Sequence, residues 1–359
     1  MGDTQIRWFP WGITVLLLPP LLLFLPRWAA APPKARMPVL SKPVWEAKTQ
    51  GTDGVYDLRF SDSGDFLLSS SGAKNWNGVE LWNVPLRRRE RAVQAPNTVF
   101  SVAFSRLGGR ASIVAATHGF RAFHWLENDT VPSVHEFLPS DTSLHALIPL
   151  DEDSIAVSID KHIGIIDPLW RVVQRLEGHT DWLRAMASFG DGALVSAGFD
   201  GRVVVWRRMD GVWRIQYSID QDASYYAVAT HEGSGNIAAF GGRKGGYSAI
   251  DLFRVDEGIT LTASIDPERS IHRLAFTSDG KFLLGAAQTL NCCVGEVVVY
   301  EVGRPGIRKW FNAHTLPTYC IATSKDPDLF ATGGADSKIR LWSLSDVLGS
   351  EAEKVDVQK

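Results

Sequence analysis

The sequence predicts an all-β chain: a seven-bladed β-propeller of four-stranded antiparallel blades, with an N-terminal strand closing the last blade. Three observations carry this reading. Short runs of alternating apolar residues recur along the chain, and a period of two is the period of a strand. Tight turns rich in Gly and Asp separate those runs. The whole pattern repeats seven times, at spacings of 39 to 47 residues, which matches the period of four-stranded propeller blades.

Bulk properties agree with this class. A chain of 359 residues can bury a large core, and 13 Trp with 32 Gly suit short strands with frequent turns. The formal net charge of -3 gives no basic excess for nucleic acid. Three cysteines, Cys292, Cys293 and Cys320, do not make a disulfide framework and read as small buried hydrophobes.

Residues 1–30 read as a hydrophobic membrane anchor or a signal peptide. The run from Trp8 to Pro26 holds 19 residues without a charge, close to the roughly 20 that a membrane-spanning helix needs. Trp8, Trp11 and Trp28 sit near its ends, where interfacial aromatics belong. Pro19-Pro20 would kink or break such a helix. A cleaved signal peptide has the right length, with small residues at Ala29-Ala30-Ala31, though Pro32 and Pro33 crowd the site. A buried core helix has no amphipathic pattern behind it. Arg27, Lys34 and Arg36 follow the run against Arg7 before it, so a retained anchor places the body on the cytoplasmic side. A cleaved segment means an exported body. Residues 31–43 carry four prolines and read as a semi-rigid linker. The propeller spans 44–345, and 346–359 read as a polar, frayed tail.

The inner strands align by eye from Val55, Val99, Leu144, Trp182, Tyr225, Ile271 and Pro317. Their fourth positions, Leu58, Val102, Leu147, Ala185, Val228, Leu274 and Cys320, are all apolar. Their second positions are large or aromatic in most units: Tyr56, Phe100, His145, Leu183, Tyr226, His272 and Thr318. Charges stand mainly at the third. Alternation places even positions between sheets, and odd positions at the free surface or a channel. Six units carry an aromatic near the end of a later strand, at Trp82, Trp125, Trp206, Phe253, Tyr300 and Trp342, with Asp167 in that place in the third.

On these residues the units resemble WD40 repeats, which form propeller blades. Two units match the family's structural tetrad: His179, Ser196, Asp200 and Trp206 in the fourth, and His314, Thr332, Asp336 and Trp342 in the seventh. The physics is plain. A turn Asp accepts from backbone amides and a His ring, the His faces a hydroxyl, and the hydroxyl accepts from an indole N–H. Such a chain satisfies buried polar groups across three strands. The other five units depart from the pattern and are expected to rest on apolar packing alone. Residues 44–50 resemble the segments that precede the inner strands of units four and seven, so they are expected to complete the seventh blade.

Catalytic and metal motifs are absent from the sequence. His145 and His272 fall three blades apart and should not share an ion. No His-Glu-x-x-His or paired Cys-x-x-Cys spacing occurs. Gly241 to Ser248 lacks the order of a phosphate loop and reads as a glycine-rich turn. Arg87 to Arg91 reads as a solvated outer strand, or as a contact for acidic lipid or protein. The resemblance implies a partner-binding face made by the starts of the inner strands and the residue before the turn Asp. By position these are Asp57, Trp182, Arg184, Phe199, Tyr225, Arg273, Pro317 and Tyr319, rich in types found at binding hot spots. The function expected is a non-enzymatic scaffold for other proteins, held at or beyond a membrane, with no cofactor and no nucleic acid. The alternative is an exported propeller enzyme or small-ligand binder that uses the central channel.

Overall fold

The strands form where β-branched and aromatic residues alternate with small ones, and they stop at Gly, Asp and Ser turns. A computed structural model describes residues 42–349 except 73–75, 118–120, 127–132, 137–143, 191, 244–247 and 290–293. The predicted anchor or signal segment, the linker up to residue 41, His118-Gly119, part of the Gly241 to Ser248 turn, Cys292-Cys293 and residues 350–359 lie outside the described residues.

Seven four-stranded antiparallel sheets follow one another along the chain. The first strand of each contacts the first strands of its neighbours all the way round, so these seven line the axis of a ring. They are Val55–Phe60, Val99–Ser105, Leu147–Pro149, Leu183–Phe189, Ala223–His231, Ser270–Phe276 and Thr318–Thr323. The seventh blade takes its outer strand from the N-terminal side. Trp45–Lys48 pairs with Lys338–Ser343, with Trp45 opposite Leu341 and Lys48 opposite Lys338. Ring closure therefore joins residues almost 300 positions apart in the chain, as in the hydrogen bond between Thr49 and Ser337 (|i−j| of 288).

Each pair of neighbouring blades encloses its own apolar cluster, seven in all. Between blades four and five, for example, Val195, Val203 and Val205 meet Tyr225, Ile237 and Phe253. Burying an aliphatic or aromatic side chain in such a cluster contributes about 1.5–3 kcal/mol, which makes these layers the main support of the ring. The late aromatics Trp82, Trp125, Trp206, Phe253, Tyr300 and Trp342 are all buried in them.

Strict alternation fails at the start of the inner strands. In six of the seven, the pairing register shifts there: between Val55 and Asp57, Val99 and Ser101, Leu183 and Ala185, Tyr225 and Ala227, Ile271 and Arg273, and Thr318 and Cys320. One residue bulges out, and residues on both sides of it turn inward. The bulges also correct the alignment by eye, which is one residue out of step in blades four and seven. In true register the bulge column reads Tyr56, Phe100, Arg184, Tyr226, His272 and Tyr319, and His145 stands in its place in blade three, where no bulge occurs. Leu183 and Thr318 belong to the buried column before it, with Val55, Val99 and Tyr225.

Two further expectations change. The chain after Leu344 opens not as a frayed tail but as a short helix, Leu344–Gly349, whose Leu344 and Val347 are buried against blades six and seven. Blades without a full tetrad also hold buried polar contacts. Trp82 Nε1 donates to Ser69 Oγ at 2.9 Å. Glu80 pairs with Arg89 at 2.6 Å. Tyr225 and Ser264 both donate to Asp251, and Arg269 pairs with Glu296. Arg87 to Arg91 leads into the exposed outer strand Arg88–Ala95 of blade one.

Candidate functional site

The two tetrads brace the turns that border one face of the ring. In blade four, Trp206 Nε1 donates to Ser196 Oγ at 2.8 Å, and Ser196 Oγ lies 2.7 Å from His179 Nε2. His179 Nδ1 lies 3.0 Å from Asp200, which also accepts from the backbone N–H groups of Thr180 at 2.8 Å and Arg202 at 3.1 Å. The carboxylate must accept, so the His proton sits on Nδ1 and Nε2 accepts from Ser196. Burial pushes the Asp200 carboxyl up, but the bonds from His179 and the two amides outweigh it and hold it below the usual range. Blade seven repeats the chain. Trp342 Nε1 lies 2.8 Å from Thr332 Oγ1, Thr332 lies 2.8 Å from His314 Nε2, and His314 Nδ1 lies 2.8 Å from Asp336.

Above these turns the bulge residues of six blades, with His145 in the equivalent place of blade three, gather at the mouth of the channel. All inner strands run the same way, so the bulges share one end. Tyr56 stacks on Tyr319 with centroids 5.8 Å apart, meets Phe100 edge-on at 5.6 Å, and Tyr319 meets His272 at 5.5 Å. That arc spans blades two, one, seven and six. On the other arc, the Arg184 guanidinium lies 3.1 Å from the ring nitrogens of His145 and 5.7 Å from the centre of the Phe199 ring. Phe199 meets Tyr226 edge-on at 5.3 Å. Trp182 stands beside His145 and is 54% exposed. Burial followed by the charge of Arg273 lowers the pKa of Arg184, and the same two causes outweigh its bond to Gln288 in lowering that of His272.

The residues expected on the partner face therefore separate into two groups. Trp182, Arg184, Phe199, Pro317 and Tyr319 reach the face at least in part. Arg273 lines the channel just below it. Two expectations are corrected. Tyr225 is 0% exposed, and its hydroxyl donates to Asp251 inside the blade; its neighbour Tyr226, the bulge residue, is the one that faces out, at 39% exposed. Asp57 is 5% exposed and ties blade one to blade two, accepting from Leu58 N–H, Ser101 Oγ and Val102 N–H. Tyr56, Phe100, His145, Tyr226 and His272 were missing from the expected face, although their size at one strand position was visible in the sequence.

The channel encloses about 200 Å³. Among the described residues no group of three or more His, Cys, Asp or Glu side chains gathers to hold a metal ion, and no helix is long and apolar enough to cross a membrane. Cys320 is fully buried, and burial raises its thiol pKa well above the ordinary value.

Comparison with known proteins picks out the two tetrad blades and blade one. The model of the WD domain, G-beta repeat family matches residues 42–83, 170–207 and 307–343. Each match runs from the outer strand of one blade to the buried Trp of the next: Trp82, Trp206 and Trp342. WD repeat-containing protein 1-A of Xenopus laevis is 32% identical over 293 residues, covering 79% of this chain and 45% of that protein. WD repeat-containing protein 1 of Bos taurus is 34% identical over 33% of this chain and 19% of its own length. The Intraflagellar transport protein 122 homolog of Xenopus tropicalis is 34% identical over 76 residues, 21% of this chain and 6% of its own. The chain spans less than half the length of these curated relatives.

Proposed function

We propose that this chain, which belongs to the WD40-repeat β-propellers, is a non-enzymatic scaffold that captures another protein on the face where its inner strands begin. The observation that carries this reading is the bulge column. Seven blades place seven aromatic, His or Arg side chains at one mouth, with exposed Trp182 beside them. Aromatic and Arg groups held by a rigid frame bind with little loss of conformational freedom. The test replaces Trp182, Arg184 and Tyr319 together by Ala and compares the proteins cross-linked to wild type and variant in cells. We expect the specific partners to vanish while the melting midpoint moves by no more than about 2 °C, because none of the three carries a blade core. An unchanged partner set would remove this face from consideration.

The scaffold is held at or beyond a membrane by residues 8–26. Their 19 residues without charge and the flanking Trp8, Trp11 and Trp28 support this placement. Cell fractionation with N-terminal sequencing tests it. Retention in the membrane fraction with an intact N-terminus marks an anchor, and a mature chain that starts near Ala31 marks export. An intact chain recovered entirely free of membranes would refute both.

A further inference from the structure

Just inside the mouth, the channel holds two cations, Arg184 and Arg273, that no carboxylate among the described residues pairs with. Arg59, Arg184 and Arg273 line it, and Asp57 is the only carboxylate among its described lining residues. Asp57 is already occupied. It accepts from two backbone amides and from Ser101, and Arg59 approaches it at 3.8 Å. Arg184 lies against the His145 ring and the face of Phe199. Among the described residues no carboxylate lies within ion-pair distance of Arg184 or Arg273. The two are close enough for the charge of Arg273 to weigh on the protonation of Arg184, with burial the larger cause.

Like charges facing each other in a partly enclosed space are unfavourable. Other buried cations of this protein are paired: Arg340 with Asp336 and Glu46, and Arg269 with Glu296. A guanidinium is a planar fork of donors that matches the oxygens of phosphate or carboxylate, and it is less strongly hydrated than an ammonium. About 200 Å³ is many times what one water needs.

We propose that the channel mouth is an oxyanion site, in which Arg184 and Arg273 together hold one phosphate group. His145 positions Arg184 through its ring, and Phe199 covers the guanidinium face. The phosphate is either a free anion or a group borne on a partner chain, and the site recognises the same oxygens in both. This inference does not depend on the scaffold reading, since inorganic phosphate needs no partner protein.

The test is calorimetric titration of the full-length chain, in buffer free of phosphate and sulfate, with inorganic phosphate and separately with N-acetyl-phosphoserine amide. We expect saturable binding of one equivalent, weakened about tenfold or more by Arg273→Gln and by Arg184→Gln. Arg273→Lys keeps the charge without the fork and weakens binding less. Arg308→Gln, on the outer surface, leaves it unchanged. Tighter binding of the phosphoserine amide identifies a partner-borne phosphate, and binding of inorganic phosphate alone identifies a free anion. The proposal is overturned if neither probe binds saturably, or if either binds Arg184→Gln and Arg273→Gln as tightly as wild type. Melting curves of each variant confirm that a lost signal is not a lost fold.

Discussion

Blades four and seven carry the same four residue types at the same spacings, yet their locks sit in different surroundings. Four residues after the turn Asp, blade four has Val204, fully buried in an apolar layer. Blade seven has Arg340 there, 2% exposed. Arg340 lies 2.9 Å from Asp336 and 2.6 Å from His314 Nδ1, and it reaches out to Glu46 on the closing strand at 2.6 Å. Nδ1 of His314 thus stands between a carboxylate and a guanidinium, whereas Nδ1 of His179 faces a carboxylate alone. Blade four is locked by one continuous stretch of chain. Blade seven is locked across the seam of the ring, and its tetrad is wired into the strand that seals that seam.

The largest effect follows from the seam. Deleting residues 1–52 removes Trp45–Lys48, uncovers the edge of Lys338–Ser343 and takes Glu46 from Arg340. We expect the melting midpoint to fall by about 10 °C or more, while deleting 1–38 leaves it in place. Equal midpoints for the two truncations would show that the seam adds nothing to the lock.

Next comes the turn carboxylate itself. Asp336→Asn leaves Arg340 buried with only half-exposed Glu46 opposite, and should cost about 3–5 kcal/mol. Asp200→Asn leaves His179 and two amides with a weaker acceptor, and should cost about 1–3 kcal/mol. Denaturant titration of both variants measures the gap. Equal losses would mean that Arg340 is not coupled to its tetrad.

The ionisation of blade seven gives a third contrast. Burial, helped by the charge of Arg340, lowers the pKa of His314 in the folded protein in spite of Asp336. The unfolded chain takes up that proton near pH 6.5 and the folded chain does not. Stability from this group is therefore complete above about pH 6.5 and declines as pH falls through that value. His135, lowered by burial and by His124 to about 4, adds to the same slope. Between pH 7.5 and 5.5 stability should fall, and His314→Gln should flatten the slope by up to about 1.4 kcal/mol per pH unit. A slope unchanged by that substitution would place the titration elsewhere. The acid carboxyls act lower. Asp200 and Asp336 are both held below the usual range against the pull of burial. Their contribution is present above about pH 3.9 and is lost as pH falls through their folded values.

The fold was legible because its signals are local and repeated: period-two alternation, turn residues, and tetrad side chains at fixed spacing. Even the seam could be read, since Val44 to Gln50 looks like the outer strands that precede Leu183 and Thr318. The mouth was harder to read. A bulge adds one residue without changing composition, so a column read at strict period two slips by one wherever the strand start is misjudged. In blades four and seven that slip put Leu183 and Thr318 where Arg184 and Tyr319 belong, and it hid a column with no small or aliphatic member. In blade five, where the alignment is in register, strict alternation without the bulge put buried Tyr225 on the face in place of Tyr226. Arg340 and Glu46 were out of reach for another reason. Their pairing spans |i−j| of 294, and nothing in either segment names the other.

The smallest expected effect lies in the turn that follows each tetrad Asp. In blade four that residue is Gly201, left-handed at φ 77°, where an added Cβ would lie 2.0 Å from the carbonyl oxygen of Gln221. In blade seven it is Ser337 at φ 61°. A side chain in this conformation costs roughly 1–2 kcal/mol, yet Ser337 is 3% exposed and its carbonyl accepts from both the N–H and the hydroxyl of Thr49. The closing segment thus clamps a turn that its own sequence does not favour. Ser337→Gly relieves the strain but frees the unfolded chain by about 0.4–1 kcal/mol, so the net gain should stay below about 1 kcal/mol. Measured again in the 1–52 deletion, where Thr49 is gone and Ser337 is free to relax, the same substitution should help less. An equal gain in both backgrounds would mean that the clamp does not hold the turn.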